Sequence, residues 1–325
     1  MKAKSFNKLL DSLRTLNSSQ YRRLRNDLNA IQIEKVVPVE LETKIENLLC
    51  PHCQSGHNIR WSKRNDLQRY RCKDCLKTFN SLTKTPLARL RKKSLWLMNS
   101  ECILAGFSVR KTAKICNVHN NTAFRWRHRF LENLKSIKAD HLQGIVEADE
   151  TYFLRSEKGN KNLTRIPRKR GGKAAKRGLS EEQVCVFISR DRNKNTFDRI
   201  FDSFTAKNLT EEFLNIMDKD ALFCSDSKSV FKKFVKENNI SHGVLNSSKG
   251  ERVKKGIVHI QNVNSYHSKL KDWMSRFNGV ATKYLENYLS WYRGLDEFKE
   301  DLIPLTILIR AKFGGKYKKQ PLTVT

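Results

Sequence analysis

The sequence predicts a multidomain α+β protein, and its length, hydrophobic content and segmental patterning support this. The 325 residues exceed the ~100–200 of a typical domain. A hydrophobic fraction of 38% with five tryptophans allows well-packed cores. The pattern changes along the chain, which predicts five segments: N-terminal helices over 1–45, a cysteine-rich segment over 46–82, a second helical segment over 86–140, an alternating strand-and-helix domain over 141–310, and a basic tail over 311–325.

The charge balance indicates a polyanionic partner. Sixty-four Lys and Arg against 33 Asp and Glu leave a net charge of +31, which favours nucleic acid. A membrane surface is the competing partner, but no stretch approaches the ~18–20 apolar residues of a transmembrane helix. We therefore expect double-stranded DNA as the partner, without a membrane or a small-molecule substrate.

The N-terminus is basic and leads into an amphipathic pattern rather than an apolar signal region. This predicts a cytoplasmic protein, in a reducing compartment where the eight cysteines do not form disulfides. Leucines at helical spacing between Leu9 and Leu28 predict one or two short amphipathic helices. A packing role and a DNA-binding role both remain open for them.

Two CxxC pairs separated by 18 residues predict a zinc ribbon over 46–82. Zinc prefers a tetrahedron of thiolate or imidazole ligands, and each CxxC turn supplies two thiolates. The four predicted ligands are Cys50, Cys53, Cys72 and Cys75. Since four thiolates close the site, the expected zinc is structural, although His52 and His57 lie nearby in the sequence.

The core of this ribbon is expected to be small and aromatic, with Trp61, Tyr70 and Phe79. The alternative is four reduced, buried cysteines without a metal. A thioredoxin-type redox site fits poorly, because it needs only one pair. The other cysteines lie in apolar contexts and are expected to be ordinary buried thiols: Cys102, Cys116, Cys185 and Cys224.

The segment 86–140 predicts a helix-turn-helix. Ser108 suits the N-cap of the first helix, and Ala113 allows a close helix crossing. Asn117 suits a left-handed turn position, and the second helix is predicted from about Asn121.

The outward face of the second predicted helix is polar and basic, with Asn120, Arg125, Arg127 and His128. Such side chains suit phosphates or base edges in a major groove. The predicted DNA-binding residues of this region are Arg110, Lys111, Asn120, Arg125 and Arg127. The alternative is a plain helical hairpin with a solvated basic face.

Residues 144–153 predict a strand with Glu147 and Asp149 on one face and Glu150 on the other. A carboxylate on a buried strand is costly unless a cation or a donor meets it. Glu147 and Glu150 are expected to be surface or strand-edge charges, with an accessory acidic role as the alternative.

Residues 221–226 predict a second buried strand that ends in Asp226. Asp226 alone could simply cap the helix that follows. Paired with Asp149, it gives two acids at strand ends that could meet across adjacent strands. Divalent-metal hydrolysis or transfer requires such a pair.

Residues 259–271 predict the start of a helix with one polar face, formed by Asn264, His267, Ser268 and Lys271. The opposite stripe is expected in the core: Tyr266, Leu270, Trp273 and Phe277. Asn264 also suits an N-cap, so both readings remain open. His259 and His267 lie near the predicted site, where packing or phosphate contact is favoured over base catalysis.

The basic stretch 165–178 predicts an exposed loop between two strands. A phosphate clamp that includes Arg168, Lys169 and Arg170 is one interpretation. A merely solvated loop is the other.

Together these motifs resemble those of a bacterial insertion-sequence transposase family in the DDE superfamily, in a subgroup that has Asn and then Lys in place of the third acid. The resemblance rests on Asp149 in EADETYF, Asp226 in CSDSK, and Asn264 and Lys271 in HIQNVNSYHSKLK. It continues through 279–292, and the order of the cysteine pairs and the SVRKTAKICNV…TAFRWRHR segment is also similar.

The resemblance implies an RNase H-like catalytic domain with a mixed sheet, which cuts DNA at terminal inverted repeats and joins 3′ ends to target DNA. It implies Asp149, Asp226, Asn264 and Lys271 as the catalytic set, with the first three as ligands of Mg²⁺ or Mn²⁺. It also implies a homo-oligomer in the DNA complex. Two rivals remain: a catalytically degenerate zinc-ribbon/helix-turn-helix regulator derived from a transposase, and a structure-selective nuclease of the same fold.

Overall fold

The computed structural model describes residues 3–31, 48–64, 67–167, 172, 174–175, 180–246, 250–254, 256–297 and 303–313. The chain divides into two compact units, one comprising residues 1–130 and 303–313 and the other residues 131–302 and 314–325. The predicted phosphate ligands Arg168, Lys169 and Arg170 and the tail beyond 313 lie outside the described residues. Within the described ranges, no helix is both long and apolar enough to cross a bilayer.

The first unit consists of helices and one small sheet. Its helices are α1 (Ala3–Leu13), α2 (Ser18–Ile31), α3 (Trp96–Leu104), α4 (Val109–Ile115), α5 (Asn120–Glu132, which runs past the unit boundary) and, later in the chain, α10 (Pro304–Phe313). Its strands are β1 (Asn58–Arg64), β2 (Leu67–Cys72) and β3 (Thr78–Asn80). The predicted N-terminal helices are confirmed as α1 and α2. Asn17, the residue before α2, caps the helix: its side chain accepts hydrogen bonds from the amides of Ser19 and Gln20 at 3.1 and 2.9 Å.

The small sheet is antiparallel in the order β1-β2-β3. Its core is formed by Phe79, which stacks on Tyr70 at 5.7 Å between ring centroids, and by the buried cysteines. Trp61 was expected in this core, and that prediction is wrong. Trp61 is 50% exposed because it lies on β1, an edge strand whose side chains are mostly exposed. The Arg71 guanidinium lies 4.8 Å from its ring centroid.

The helices α4 and α5 form the predicted helix-turn-helix. Ser108 is the N-cap of α4, and its hydroxyl accepts from the Lys111 amide at 3.3 Å. Ala113 is buried at the crossing, and Asn117 has a φ of 47° in the turn. These three predictions are confirmed, and α5 begins one residue earlier than expected, at Asn120.

Helix α10 packs against α3 and belongs to the first unit. The sequence predicts a catalytic domain over 141–310 and a basic tail over 311–325, whereas residues 303–313 form part of the first unit, which corrects this boundary. The physical reason is the apolar surface of α10, which is buried through Ile307, Leu308, Ile309 and Ala311. A segment that buries such a stripe belongs to the unit it packs on, whatever its position in the chain.

The second unit contains the predicted mixed sheet. Its strands are β4 (Ile145–Leu154), β5 (Gln183–Asp191), β6 (Thr196–Phe201), β7 (Leu222–Asp226) and β8 (His242–Leu245), and its helices are α6 (Ala206–Phe213), α7 (Ser229–Glu237), α8 (Gln261–Ser275) and α9 (Leu285–Glu297). The strand order is β6-β5-β4-β7-β8. Strand β5 is antiparallel to both of its neighbours, β6 and β4. Strand β7 is parallel to β4, and β8 is parallel to β7. β4 therefore lies at the centre of the sheet.

The two faces of β4 have different chemistry, because side chains alternate along a strand. Val146 and Ala148 are fully buried in an aromatic core with α6 and α7, which includes Phe187, Phe213, Phe223, Phe231 and Phe234. Glu147 and Asp149 point to the opposite face, where Glu147 binds the start of α8. The predicted alternation is thus confirmed, and it directs Glu147 and Asp149 toward α8.

Candidate catalytic and nucleic-acid sites

The four paired cysteines form a cluster suited to a metal ion. The Sγ atoms of Cys50 and Cys75 are 3.6 Å apart, as are those of Cys53 and Cys72, and all four lie within 4.8 Å of one another. Tetrahedral Zn–S bonds of ~2.3 Å require sulfur–sulfur separations of about 3.8 Å. The cluster therefore fits zinc. Within the described residues it is the only group of three or more His, Cys, Asp or Glu ligands this close together.

Each cysteine pair is followed by a residue in the left-handed region, Gln54 (φ 63°) and Leu76 (φ 58°). The amides of Cys75 and Asp74 point at the Cys72 sulfur and lower the pKa of that thiol to about 6. His57, a possible alternative ligand, instead has its Nδ1 3.3 Å from Asp74. The remaining cysteines are buried as predicted: Cys102, Cys116, Cys185 and Cys224.

Four of the predicted DNA-binding residues of the helix-turn-helix have exposed side chains: Arg110, Lys111, Asn120 and Arg125. Lys111 places its ammonium 3.5 Å from the centroid of the Phe107 ring. Their exposure is compatible with contact to DNA, which stays a prediction.

Arg127 does not face outward, so this part of the prediction is wrong. It is only 2% exposed. Its guanidinium donates to the Phe107 carbonyl and, at 3.3 Å, to the Thr112 hydroxyl. The helical spacing of Ala123, Trp126, Arg127 and Phe130, all of them buried, places Arg127 on the face that packs against α4. Arg127 therefore joins the two helices of the motif.

Asp149 and Asp226 lie at equivalent levels of two neighbouring strands. The parallel pairing of β4 with β7 aligns Ile145 with Leu222 and Glu147 with Cys224. The same register, extended by two residues, aligns Asp149 in the middle of β4 with Asp226, the last residue of β7, on strands that lie ~4.8 Å apart. The prediction that both acids lie at strand ends therefore holds for Asp226 and is wrong for Asp149. The predicted meeting of the two acids follows from this register.

The environment of Asp149 disfavours its charge. Burial, followed by the charge of Asp226, raises the pKa of Asp149 to about 7, while Lys228 and Lys271 act in the opposite direction. Burial also raises the pKa of Asp226. Two desolvated carboxyls beside each other are stabilised as anions by a cation, which is the usual reason for such a pair at a metal site.

Asp226 is more than a helix cap. The N-cap of α7 is Lys228, which makes no side-chain capping bond. The Asp226 carboxylate accepts from the Lys228 amide at 3.1 Å, ahead of the helix. Its carboxylate is thus left close to Asp149.

Lys228 is a residue of this site that sequence reasoning missed. Its ammonium contacts the buried Glu150 carboxylate and is close enough to Asp149 to lower the pKa of that acid. Burial lowers the pKa of Lys228 itself. Its position two residues after Asp226, as the last letter of CSDSK, was the available signal.

Glu147 and Glu150 are 0% and 6% exposed, so the expectation of surface or strand-edge charges is wrong for both. β4 is the central strand of the sheet, and both of its faces are covered. A buried carboxylate requires partners. Glu150 has Lys228, and Glu147 has a larger set.

Glu147 caps helix α8 from the neighbouring sheet. Its Oε2 accepts from the amides of Asn262 and Val263 at 2.8 and 3.1 Å, which are the second and third residues of α8. Its Oε1 meets the Asn262 side-chain nitrogen at 2.7 Å and Arg192 Nη1 at 2.8 Å. Since Ile260 occupies the N-cap position and offers no side-chain acceptor, Glu147 supplies the missing one. It thereby fixes α8 to the strand that carries Asp149.

The predicted polar face of α8 only partly faces solvent. His267 is 7% exposed, and its Nδ1 lies 3.6 Å from Asp149 Oδ2. Burial, with help from the charge of Lys271, lowers the pKa of His267 to about 4. A neutral, buried imidazole agrees with the packing role expected for His267. The core stripe is buried at Tyr266, Leu270 and Trp273 and half-buried at Phe277.

Asn264 is not a helix cap, because it is the fourth residue of α8. Its side chain is exposed, and its amide makes only the regular helical bond to Ile260. Lys271, two turns later, is also exposed and is close enough to Asp149 to affect its pKa. The structure thus brings Asp149, Asp226 and Lys271 together, with Asn264 on the same helix as Lys271 but without a contact to either acid.

The acidic pair offers oxygen ligands of the kind that Mg²⁺ and Mn²⁺ prefer. Two adjacent carboxylates repel each other when both are ionised, and a divalent cation between them relieves this repulsion. Mg²⁺ commonly uses one or two carboxylates and completes its sphere with water and substrate phosphate. The pair therefore offers two carboxylate ligands to such an ion.

Comparison with known protein families gives two matches. Residues 141–293 match the ISXO2-like transposase domain, and residues 87–135 match a homeodomain-like domain. A protein described as an uncharacterized protein in transposable element ISH50 of Halobacterium salinarum is 28% identical over 248 residues, which covers 74% of this chain and 82% of that relative. These matches confirm the resemblance to insertion-sequence transposases.

Solved structures show only remote similarity. A simian T-cell lymphotropic virus intasome in complex with a PP2A regulatory subunit is 10% identical with a TM-score of 0.28, and covers 61% of this chain and 67% of that one. A pre-cleavage Mos1 transpososome is 11% identical with a TM-score of 0.23, and covers 69% and 80%. At these scores the similarity does not establish a shared fold.

Proposed function

We propose that this protein, whose residues 141–293 match the ISXO2-like transposase domain, is an insertion-sequence transposase. It binds the terminal inverted repeats of its element and catalyses metal-dependent DNA cleavage and strand transfer. The zinc ribbon at 46–82 and the helix-turn-helix at 86–140 bind DNA, and an RNase H-like domain from residue 141 carries out the chemistry. The mixed sheet, with three antiparallel strands followed by two parallel ones, supports the RNase H-like assignment.

The parallel register of β4 and β7, which extends to align Asp149 in mid-strand with Asp226 at the end of β7, is the observation that carries the proposal. A purely structural pair of acids would have cationic or amide partners that keep both pKa values low. Here both pKa values are raised by burial, so the pair is costly in the protein alone. Acids whose pKa values are raised in this way are typical of functional sites.

Asp149 and Asp226 would hold one or two Mg²⁺ or Mn²⁺ ions. When bound, these ions supply activation of a water or 3′-hydroxyl and stabilise the leaving oxygen. Asn264 brings an amide oxygen but no charge, so it would hold a metal only weakly and would depend on DNA phosphate to complete the sphere. Lys271 would orient a phosphate beside Asp149 or offset transition-state charge.

The cysteine cluster would hold a structural zinc. Its four sulfurs already lie at separations that suit a tetrahedral ion. Because no further ligand position is left open, this zinc would support folding of the ribbon rather than the chemistry.

Strand transfer by alanine variants tests the catalytic assignment. Asp149→Ala and Asp226→Ala should each abolish joining of a 3′-end to target DNA while retaining binding to a duplex from the ends of the element. The DNA that flanks the gene supplies this duplex, and matched inverted repeats there would identify it. The matched control is Asp202→Ala, which removes a carboxylate that is 93% exposed in the same unit. If both site variants still join DNA ends, the active-site assignment fails.

A DNA-binding regulator derived from a transposase is the alternative, and the exposed, uncharged Asn264 favours it. Such a protein would shift end-sequence DNA without nicking it when Mg²⁺ or Mn²⁺ is added. A nuclease would nick the DNA but never join a 3′-hydroxyl to a new strand. The proposed transposase would do both.

A further inference from the structure

The segment that connects the zinc ribbon to the helix-turn-helix, residues 84–95, is a fixed and strongly basic element that we call the connector. Leu87 and Leu90 are 0% and 7% exposed and anchor it to the first unit. Between and after these anchors, Arg89, Arg91 and Lys92 are exposed. The buried leucines thus leave the cationic side chains facing solvent.

The connector backbone is held in a costly conformation. Arg89 and Lys92 have φ values of 61° and 57°, in the left-handed region that favours glycine over residues with a Cβ. Surrounding bonds hold the segment in place: Trp96 Nε1 donates to the Arg91 carbonyl at 3.3 Å, and Arg129 donates to the Ala88 carbonyl at 3.1 Å. Long cationic side chains at two positions where glycine would cost less point to a use for the side chains.

Two adjoining grooves meet at the connector and share Arg89, Leu90, Arg91 and Lys92. One groove, of about 540 Å³, continues along the first turns of α5 past Asn121, Thr122, Arg125 and Trp126. The other, of about 710 Å³, reaches Arg64 at the end of β1. The connector therefore forms one basic surface with the second helix of the helix-turn-helix and with the ribbon.

This surface carries cations without opposing carboxylates. Neither groove has an acidic residue in its lining. Six cations line the two grooves, and within the described part of the chain five of them form no ion pair: Arg64, Arg89, Arg91, Lys92 and Arg125. The sixth is Lys93. Unpaired cations at close quarters repel one another, and a polyanion relieves that repulsion.

We propose that the connector is a phosphate-binding site that contacts the backbone of duplex DNA between the ribbon and the start of α5. The proposal deepens the proposed transposase function and rests on it. Duplex DNA fits because the groove continues onto the first turns of α5, the helix that the motif presents to a major groove, so a strand bordering that groove would cross the connector. Arg89, Arg91 and Lys92 would contact phosphates and so position the protein without reading sequence.

Substitution by glycine tests the connector without disturbing its fold. Arg89→Gly and Lys92→Gly remove one cation each, and glycine accepts the left-handed backbone more readily than the native residue does. Binding of the full chain to a random-sequence duplex of about three helical turns is measured by fluorescence anisotropy over a series of salt concentrations. Each variant should bind several-fold more weakly, and the slope of log K against log salt should fall in magnitude by about 0.9 for each lost phosphate contact.

Lys194→Gly is the matched control, because Lys194 is also an exposed lysine with a left-handed backbone, at φ 70°, but in the turn between β5 and β6. It should bind duplex DNA as the native protein does. If the two connector variants match Lys194→Gly in affinity and salt slope, the proposal is overturned. It is also overturned if the loss is confined to one DNA sequence, which would indicate base reading, or if single-stranded DNA of equal length binds better than the duplex.

Separate outcomes distinguish the transposase function from the phosphate-binding connector. If the native protein binds DNA ends but neither nicks nor joins them, the transposase function fails while the connector remains tested by the glycine variants. If the native protein transposes and the glycine variants bind normally, only the connector proposal fails.

Discussion

At the scale of single residues, Asp149 shows how position sets chemistry. It is on the central strand, beside Asp226, and its pKa is raised from the ordinary 3.8 to about 7. Between these values the folded protein holds a proton that the unfolded chain has released. The stability of the native protein should therefore fall as the pH rises from about 4 to about 7, and this loss should be constant above that range.

Asp149→Asn should remove this loss, because an amide carries no charge at any pH. In protein that retains its zinc but has no Mg²⁺ or Mn²⁺, the variant should unfold at a higher temperature than the native chain, by a margin that grows between pH about 4 and about 7. Thermal unfolding across that range measures it. Added Mg²⁺ should then stabilise the native protein and not the variant. A margin that is independent of pH would contradict the raised pKa, and Asp202→Asn is the exposed control.

Local patterns predicted residues whose role depends on near neighbours in the chain. The paired cysteines, the Ser108 cap and the Asn117 turn are set by spacings of a few residues, and the structure has the cluster, the cap and the turn as expected. Trp61 and Arg127 were misassigned because exposure depends on which elements cover a face. For Arg127 the helical spacing from Ala123, Trp126 and Phe130, all of them buried, indicates the buried face, although the charge of the side chain favours the exposed one.

At the scale of elements, the connection between β4 and α8 was not predictable. Glu147 and Asn262 are 115 residues apart in the chain, and alternation along β4 gives a face but not the helix that covers it. The structure shows why a carboxylate lies there: the first amides of α8 point at it and the helix dipole favours its charge. Glu147 is accordingly a positioning residue, which acts through α8 on Asn264 and Lys271.

Glu147→Gln should destabilise the second unit and impair strand transfer while leaving DNA binding by the first unit unchanged. Each carboxylate oxygen of Glu147 accepts from two donors. The NH₂ group of a glutamine would therefore face donors in either orientation of the amide. Arg192 would also lose its counter-charge. A loss of about 2–5 kcal/mol in the free energy of unfolding is expected. Chemical denaturation, end-joining and DNA affinity measure the three effects. Glu211→Gln, at an exposed position on α6, is the control. Native stability in Glu147→Gln would refute the capping role.

At the scale of the whole molecule, composition predicted the class of partner and the order of the segments, but not how distant segments combine. The net charge of +31 indicated a polyanion. It did not indicate that unpaired cations gather on the connector. Likewise, the meeting of Asp149 with Asp226 depends on a strand register between segments 77 residues apart, as the pairing of Ile145 with Leu222 shows. The return of α10 to the first unit is a long-range packing event of the same kind.

The division into two units predicts that zinc removal acts on only one of them. The cluster around the cysteines contains three buried side chains, Cys50, Cys72 and Phe79, and a core of that size is too small to hold the ribbon folded without the metal. Structural zinc contributes ~10–16 kcal/mol in small zinc peptides, as much as the whole stability of a domain. The second unit has its own aromatic core and should not depend on the metal.

Chelation should therefore raise hydrogen–deuterium exchange in β1, β2 and β3 while leaving the amides of β4 and β5 protected. DNA binding should weaken in parallel, because the ribbon contributes Arg64 to the surface that meets DNA. Cys72→Ser should reproduce both effects and lower the zinc content, whereas Cys185→Ser, at a buried thiol of the second unit, should retain full zinc. If β1–β3 remain protected after the zinc is gone, the four cysteines pack as ordinary thiols and the metal has no role in folding the ribbon.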